Sequence, residues 1–414
     1  MHSFLGLLAL FAVWAFVESV PNNSSAAARV LSSILSSNDY DPKIPPYYNE
    51  EYPAEVTVQL KVLSIDNVDE ASMDYSLTVF LRQIWTDPRL RFAHGPHDND
   101  STVSPHDELI RHSLDRLELD SRVTDQVWHP DTFFANERKA DVHDVTVPNK
   151  LLHIFSNGTV FYSMRISMTL TCHMNLEKYP FDRQKCPLVI ASYGYTSHTV
   201  SYVWMQPTPV VIKSGVELPT FHVTEWDIIE CDDMAEGSYG NFSCIQMYFG
   251  LARSYGFYIA QVYVPSFLVV SLSWVNFWLD INAIPARISL GLLTVLTTTT
   301  MSVGAKSNLP RVSYLKSIDV WLATCLFFVF AALLEFAYVN VTARVEKRRM
   351  TMREAVRMAT DGAIGTKQNA KDKQEANSTA HMRERARMVD KIARFAFPIV
   401  FICFNIFYWC YYML

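Results

Sequence analysis

Enzymatic signatures are missing from this 414-residue sequence. It has no nucleophile motif, no HExxH and no phosphate-cradling glycine loop, which argues against an enzyme. Cysteine is scarce, with seven residues in the whole chain, far below what a small disulfide scaffold uses. Charge of one sign is also scarce. The 36 basic and 42 acidic residues give a net charge of −6, with no broad basic surface for nucleic acid. Half the residues are hydrophobic, too many for a disordered chain, and 19% are charged, too many for a chain that is membrane throughout. What remains is a chain with two unlike halves, one water-soluble and one apolar.

Residues 3–17, SFLGLLALFAVWAFV, form a short apolar core, and 1–19 reads as a secretory signal peptide. An exported domain follows over 20–253, where disulfides and N-glycans are allowed. Asn22, Asn23, Asn99, Asn157 and Asn241 are its sequons. From about residue 52, short runs such as EVTVQLKVLSI (55–65), YSLTVFLRQIW (75–85) and GTVFYSMRISMTLTC (158–172) alternate apolar and polar side chains. Turn signals separate them, as at Asp87-Pro88 and Asn157-Gly158. Regular short strands without long helices predict an antiparallel, immunoglobulin-like β-sandwich. One helix is expected near 25–36, and 93–115 reads as a long surface loop.

Four apolar segments occupy the rest: 254–279, 285–305, 318–341 and 391–414. Each is long enough for a bilayer core of about 30 Å, so a four-helix transmembrane bundle is expected. The loop 342–390 carries 12 Lys/Arg against 7 Asp/Glu and is placed in the cytosol by the positive-inside rule. The plasma membrane is the expected location.

The second span, PARISLGLLTVLTTTTMSVGAK (285–306), is the unusual one. Its threonines run almost all the way round a helix. One reading is a buried helix whose hydroxyls bond to carbonyls one turn earlier. The other is a pore-lining helix, which one chain can use only within a symmetric ring of subunits. Pro285 starts the helix at the cytosolic mouth, where its free N–H groups face outward. Pro285, Ala286 and Arg287 are assigned to that mouth, with Arg287 adding a positive charge per subunit. No carboxylate lies between Asp280 and Asp319. The expected permeant ion is therefore an anion, chloride being the abundant one.

Cys172 and Cys186 enclose HMNLEKYPFDRQK, a C-x13-C pattern with an aromatic-Pro-Phe-Asp core. Together with FLRQIWTDPRL (80–90), VWHPDTFFANE (127–137), PARISLG (285–291) and LPRVSYLKSIDVW (309–321), it makes the chain resemble the Cys-loop family of pentameric ligand-gated ion channels. The likeness runs from about Asp39 to Leu414. It is strongest to the anion-selective branch of glycine receptors, glutamate-gated chloride channels and invertebrate relatives. The resemblance implies disulfides Cys172–Cys186 and Cys231–Cys244 and a homopentamer, with heteromers left open. It also implies a small-molecule agonist bound between adjacent extracellular domains, and no cofactor or metal. One face of that site would carry Phe133, Tyr193, Tyr239 and Phe242. The other would carry Phe80, Arg82, Ser163 and Arg165, with Lys61, two places from Gln59 on an early strand, extending it. Arg82 offers a fork for a carboxylate and the aromatic walls suit an ammonium. In the second span the resemblance puts Pro285, Ser289, Leu293, Leu296, Thr300 and Gly304 along the pore, with Leu296 as gate. Asp182 and Arg253 are expected to pair at the domain junction, near Arg311, Tyr314 and Lys316. Closure of the Cys231–Cys244 tip would pull on that junction.

Two departures stand out. Ala191 replaces the glutamate that glycine and GABA receptors carry before the Ser-aromatic pair, which tilts the expected agonist toward a carboxylate such as glutamate. Leu293 replaces the usual pore threonine, which predicts weak block by picrotoxin-type compounds. Ten of the twelve histidines lie in the exported domain 20–253, several of them in 93–115, so proton gating is one alternative trigger. A biogenic-amine-gated anion channel and a non-conducting accessory subunit are the others.

Overall fold

Alternation along the strands dictates the upper half of the molecule. A computed structural model describes residues 23–36, 40–92, 115–215, 218–229, 231, 241–280, 283–307, 309–360 and 369–413. The signal segment 1–19, Asn22, Asn99, Tyr239 and nearly all of the 93–115 loop with its four histidines lie outside the described residues. Helix α1 (Asn23–Leu35) precedes strands β1 (Ala54–Asp69), β2 (Asp74–Thr86), β3 (Arg116–Leu119), β4 (Thr132–Phe134), β5 (Glu137–Val142) and β6 (Lys150–Phe155). Then follow β7 (Thr159–Thr171), β8 (Arg183–Thr196), β9 (Val200–Trp204), β10 (Val210–Ile212), β11 (Phe221–Ile229) and β12 (Phe242–Arg253).

One sheet runs β10-β1-β2-β7-β6-β3, with β5 on β7 and β9 on β1; the other runs β11-β12-β8-β4. The expected sandwich is present. It is antiparallel except where β1 pairs in parallel with β9 and β10. Every second residue of β1 and β2 turns inward, so Val56, Val58, Leu60, Leu77, Val79 and Leu81 are buried. They face Leu188, Ile190, Phe249 and Leu251 of the second sheet within one hydrophobic core. The Cys172–Cys186 disulfide ties the end of β7 to the start of β8, and Cys231–Cys244 is also formed. At the β6–β7 turn Gly158 has φ +86°, and a Cβ there would sit 2.6 Å from the Asp87 carbonyl oxygen. Only glycine suits that turn.

Below the sandwich lie four helices long and apolar enough to span a membrane. Helix α2 (Gly256–Trp278) contains a π-turn at Ile259–Tyr263, directly before Val264-Pro265. Proline lacks the N–H that a regular turn needs, and the wider turn accommodates it. Helices α3 (Ile284–Lys306), α4 (Ser317–Thr360) and α5 (Asn369–Met413) follow. The last two outrun their apolar segments. The segment assigned to a cytosolic loop is helical through Thr360 and again from Asn369. Its Ala, Arg, Glu, Lys and Met residues are good helix formers, so a polar helix continues where the apolar one ends.

Candidate functional site

Strand register brings the first set of residues together. Arg82 pairs with Gln59 on one side and Ser163 on the other, and Phe80 likewise lies between Lys61 and Arg165. Because Val79 and Leu81 point into the core, these neighbours share the opposite face of the sheet. Arg82 Nη1 donates to Gln59 Oε1 at 2.9 Å, and Gln59 Nε2 donates to the Thr208 carbonyl at 2.8 Å. Arg165 Nε is buried without a hydrogen-bond partner among the described residues. Two guanidiniums, one ammonium and one hydroxyl thus line six adjacent positions on three strands.

The second set lies on the other sheet. Phe133 of β4 pairs with Ala191 of β8. Its ring meets Tyr193 edge-on, with centroids 5.6 Å apart, and Tyr193 is 78% exposed. Asp131 fixes this turn. Its carboxylate accepts from Ser192 Oγ at 2.6 Å and from the Gly194 amide at 2.5 Å. Asp131 was not picked out from the sequence, although it sits inside the HPDTFF segment. Phe242 lines a cleft of about 410 Å³ with Trp204, Ile228, Ile229 and the Cys231–Cys244 disulfide. Ala191 is fully buried. No hydrogen bond or ring contact among the described residues joins the two sets.

A third cluster sits between sandwich and helices. Arg253 ends β12, and its guanidinium is fully buried. Asp182 accepts from Nε at 2.7 Å and from Nη2 at 3.1 Å, and Glu70 accepts from Nη1. The rings of Tyr179 and Phe221 lie 4.5 and 4.4 Å from the guanidinium carbon. Burial alone would push the Arg253 pKa down, but hydrogen bonds and charge from Asp182 and Glu70 hold it above its ordinary value. Glu70 comes from the β1–β2 turn, where nothing local marks it. The loop closed by Cys172–Cys186 docks here. The Leu176 amide donates to Tyr314 Oη at 3.0 Å, and the Ser317 amide donates to the Glu177 carbonyl at 2.9 Å. Ser317 Oγ donates to the Tyr179 carbonyl. Lys316 is buried and donates to the Pro310 carbonyl of its own loop at 3.3 Å. Arg311 is exposed, with no partner among the described residues.

On α3 the packing selects a face that the threonine pattern leaves open. Arg287, Gly291, Thr294 and Thr298 are buried, one stripe at helical spacing. Pro285, Ala286, Ser289, Leu293, Leu296, Thr300 and Gly304 are exposed on the other side. Leu293 and Leu296 are 55% and 61% exposed. The hydroxyls of Thr294, Thr297, Thr298, Thr299 and Thr300 all donate to carbonyls one turn earlier, buried or not.

Arg287 corrects the expectation. It is 1% exposed and does not line the mouth. Its Nη2 lies 3.0 Å from Asp390 Oδ2 of α5 and also donates to the Leu279 carbonyl. The physical reason is the helical stripe: position 287 is one turn from Gly291, where α4 packs so closely that a Cβ would meet Leu333 at 2.6 Å. A charge on that face needs a counter-ion, and α5 supplies it. Glu335 of α4 faces the same pair, both its oxygens buried without a hydrogen-bond partner among the described residues.

Of the sequons, Asn157 and Asn241 are exposed and Asn23 begins α1. Among the described residues no group of three His, Cys, Asp or Glu is placed to hold a metal.

Residues 27–255 match the family model of the neurotransmitter-gated ion-channel ligand binding domain. Residues 262–362 match that of the neurotransmitter-gated ion-channel transmembrane region.

Proposed function

We propose, from the premise that the chain belongs to the neurotransmitter-gated ion-channel family, that it forms a chloride-selective channel opened by a small carboxylate such as glutamate. Membership makes it a ligand-gated, multi-pass channel of the plasma membrane and not an enzyme. The agonist reading is carried by one observation, the cross-strand row of Gln59, Lys61, Phe80, Arg82, Ser163 and Arg165. That row offers positive charge, forked donors and one aromatic edge on a single sheet face, which suits an anionic group. The paired rings of Phe133 and Tyr193, on the other sheet, suit an ammonium. An amino acid carries both groups. The two sets occupy different sheets, so a site using both is built by two subunits.

The anion reading rests on α3. Its exposed stripe has no carboxylate, and Pro285 stands in the first turn with free N–H groups at that end. Because Asp390 cancels Arg287, the reading leans on those N–H groups and not on a ring of arginines. Leu293 and Leu296 are adjacent on the stripe and would form two apolar constrictions in a ring of five, closing by dewetting. The junction built on Arg253, Asp182 and Glu70 would carry agonist closure to α2, and Tyr314 and Ser317 would carry it to the α3–α4 loop.

The test is expression of the chain alone in oocytes, with amino acids, amines and pH steps applied in turn. A current evoked by a carboxylate agonist, reversing with the chloride gradient, is expected. Reversal that follows sodium overturns the anion reading. Activation by amines or protons alone overturns the agonist reading.

A further inference from the structure

At the end of α2 farthest from the sandwich, Trp278 is 64% exposed. Twenty-three helical residues at 1.5 Å each carry it about 35 Å from Gly256, roughly the thickness of a bilayer core. Exposed tryptophan at that depth is an interfacial anchor. Arg394 of α5 lies over it, its guanidinium carbon 4.8 Å from the ring centroid. Arg394 Nε donates to the Phe277 carbonyl at 2.9 Å, and the Phe277 ring packs tilted against Phe397 with centroids 5.0 Å apart. The guanidinium is thus held in place from two sides. Its two terminal nitrogens have no hydrogen-bond partner among the described residues, and one helical turn before it Lys391 is exposed and unpaired among the described residues. Phe395, on the same side of α5, is 67% exposed.

Among the described residues no acid forms an ion pair with Arg394 or Lys391. Asp390 turns inward and is committed to Arg287. The carboxylate oxygens of half-buried Glu335 are shielded beside them. Toward lipid, the corner between α2 and α5 therefore presents an indole, a fixed guanidinium with two free nitrogens and an ammonium. Those groups match a phosphate oxyanion at the headgroup level, with acyl chains continuing along Phe395.

We propose that Trp278, Lys391 and Arg394 form a binding site for the headgroup of an anionic phospholipid in the leaflet away from the β-sandwich. The site rests on the membrane-spanning reading of the helices but not on the permeant ion or the agonist. Arg394 supplies the fork to the phosphate, Lys391 the second positive charge, and Trp278 the apolar floor that keeps the guanidinium at the interface.

The experiment uses the full-length chain in phosphatidylcholine vesicles. Equal fractions of phosphatidylserine or phosphatidylcholine, brominated close to the headgroup, are added to both leaflets. Tryptophan quenching is measured, and the Trp278 component is obtained by difference from Trp278→Phe. Quenching of that component by brominated phosphatidylserine is expected to exceed that by brominated phosphatidylcholine by at least about twofold. Arg394→Gln and Lys391→Gln should each lower the ratio, and together bring it to one, while Arg394→Lys keeps part of it. A ratio of one in the unaltered chain overturns the proposal, as does a ratio that both substitutions leave unchanged. If inorganic phosphate in the buffer abolishes the ratio, the site takes a free phosphate and the lipid assignment falls. Should Arg394→Gln fail to fold, Lys391→Gln and a salt titration give the same decision. Fluorescence reads binding with no channel current, so failure of the chloride or agonist reading leaves this result standing.

Discussion

Arg253 and Arg287 are both buried guanidiniums, and each is balanced by carboxylates from distant parts of the chain. Removing one partner of such a pair strands the other charge in a dry environment, at a cost of about 3–5 kcal/mol. Asp390→Asn is therefore expected to reduce surface expression sharply, because Arg287 loses its counter-ion. Glu335→Gln, at a carboxylate that accepts no hydrogen bond among the described residues, should leave expression near normal. Surface biotinylation of both variants checks the contrast. At the junction, Asp182→Asn and Arg253→Gln should be strongly non-additive in agonist sensitivity, since the two side chains share two hydrogen bonds. Additive effects would show that the contact carries no coupling. Arg82→Lys keeps the charge of the binding row but loses the planar fork, and a rise of about tenfold in half-maximal agonist concentration is expected, read from dose–response curves.

At the scale of elements, β1, β2 and β7 are locked by burial. A slip of one residue would turn Val79 and Leu81 to the outside and Phe80 and Arg82 into the core, so the register that hides the first pair presents the second. Helix α3 has no such alternation, and its hydroxyls satisfy themselves within the helix whichever way they face. Its orientation is set by the fit of Gly291 against Leu333 and by the Arg287–Asp390 pair. Leu293 falls on the exposed stripe, so Leu293→Thr should raise sensitivity to picrotoxin-type blockers. Strong block of the unaltered channel in oocyte recordings would refute that account.

For the whole molecule, the decisive point is that the two candidate binding faces lie on different sheets. Co-expression tests the consequence. Subunits carrying Arg82→Gln and subunits carrying Tyr193→Ala should each respond poorly alone. Mixed together, they should recover a component of near-normal sensitivity, because some interfaces then combine two intact faces. A site lying within one subunit would give no recovery.

The sequence by itself determined the elements. Alternation marked the strands and apolar length marked the four helices, because each is a local pattern that the backbone enforces; the first disulfide, Cys172–Cys186, came with the family resemblance that the C-x13-C loop carries. The resemblance added Asp182 and Arg253 as candidates, and the set Ser289, Leu293, Leu296, Thr300 and Gly304, which packing leaves exposed on α3. Only the tertiary structure decided which distant groups meet. Glu70 joins Arg253 across 183 positions, Asp390 takes Arg287 across 103, and Asp131 fixes the Ser192–Gly194 turn across about 60. No local pattern encodes such pairs: a buried charge needs its partner somewhere in the fold, and the chain alone does not say where.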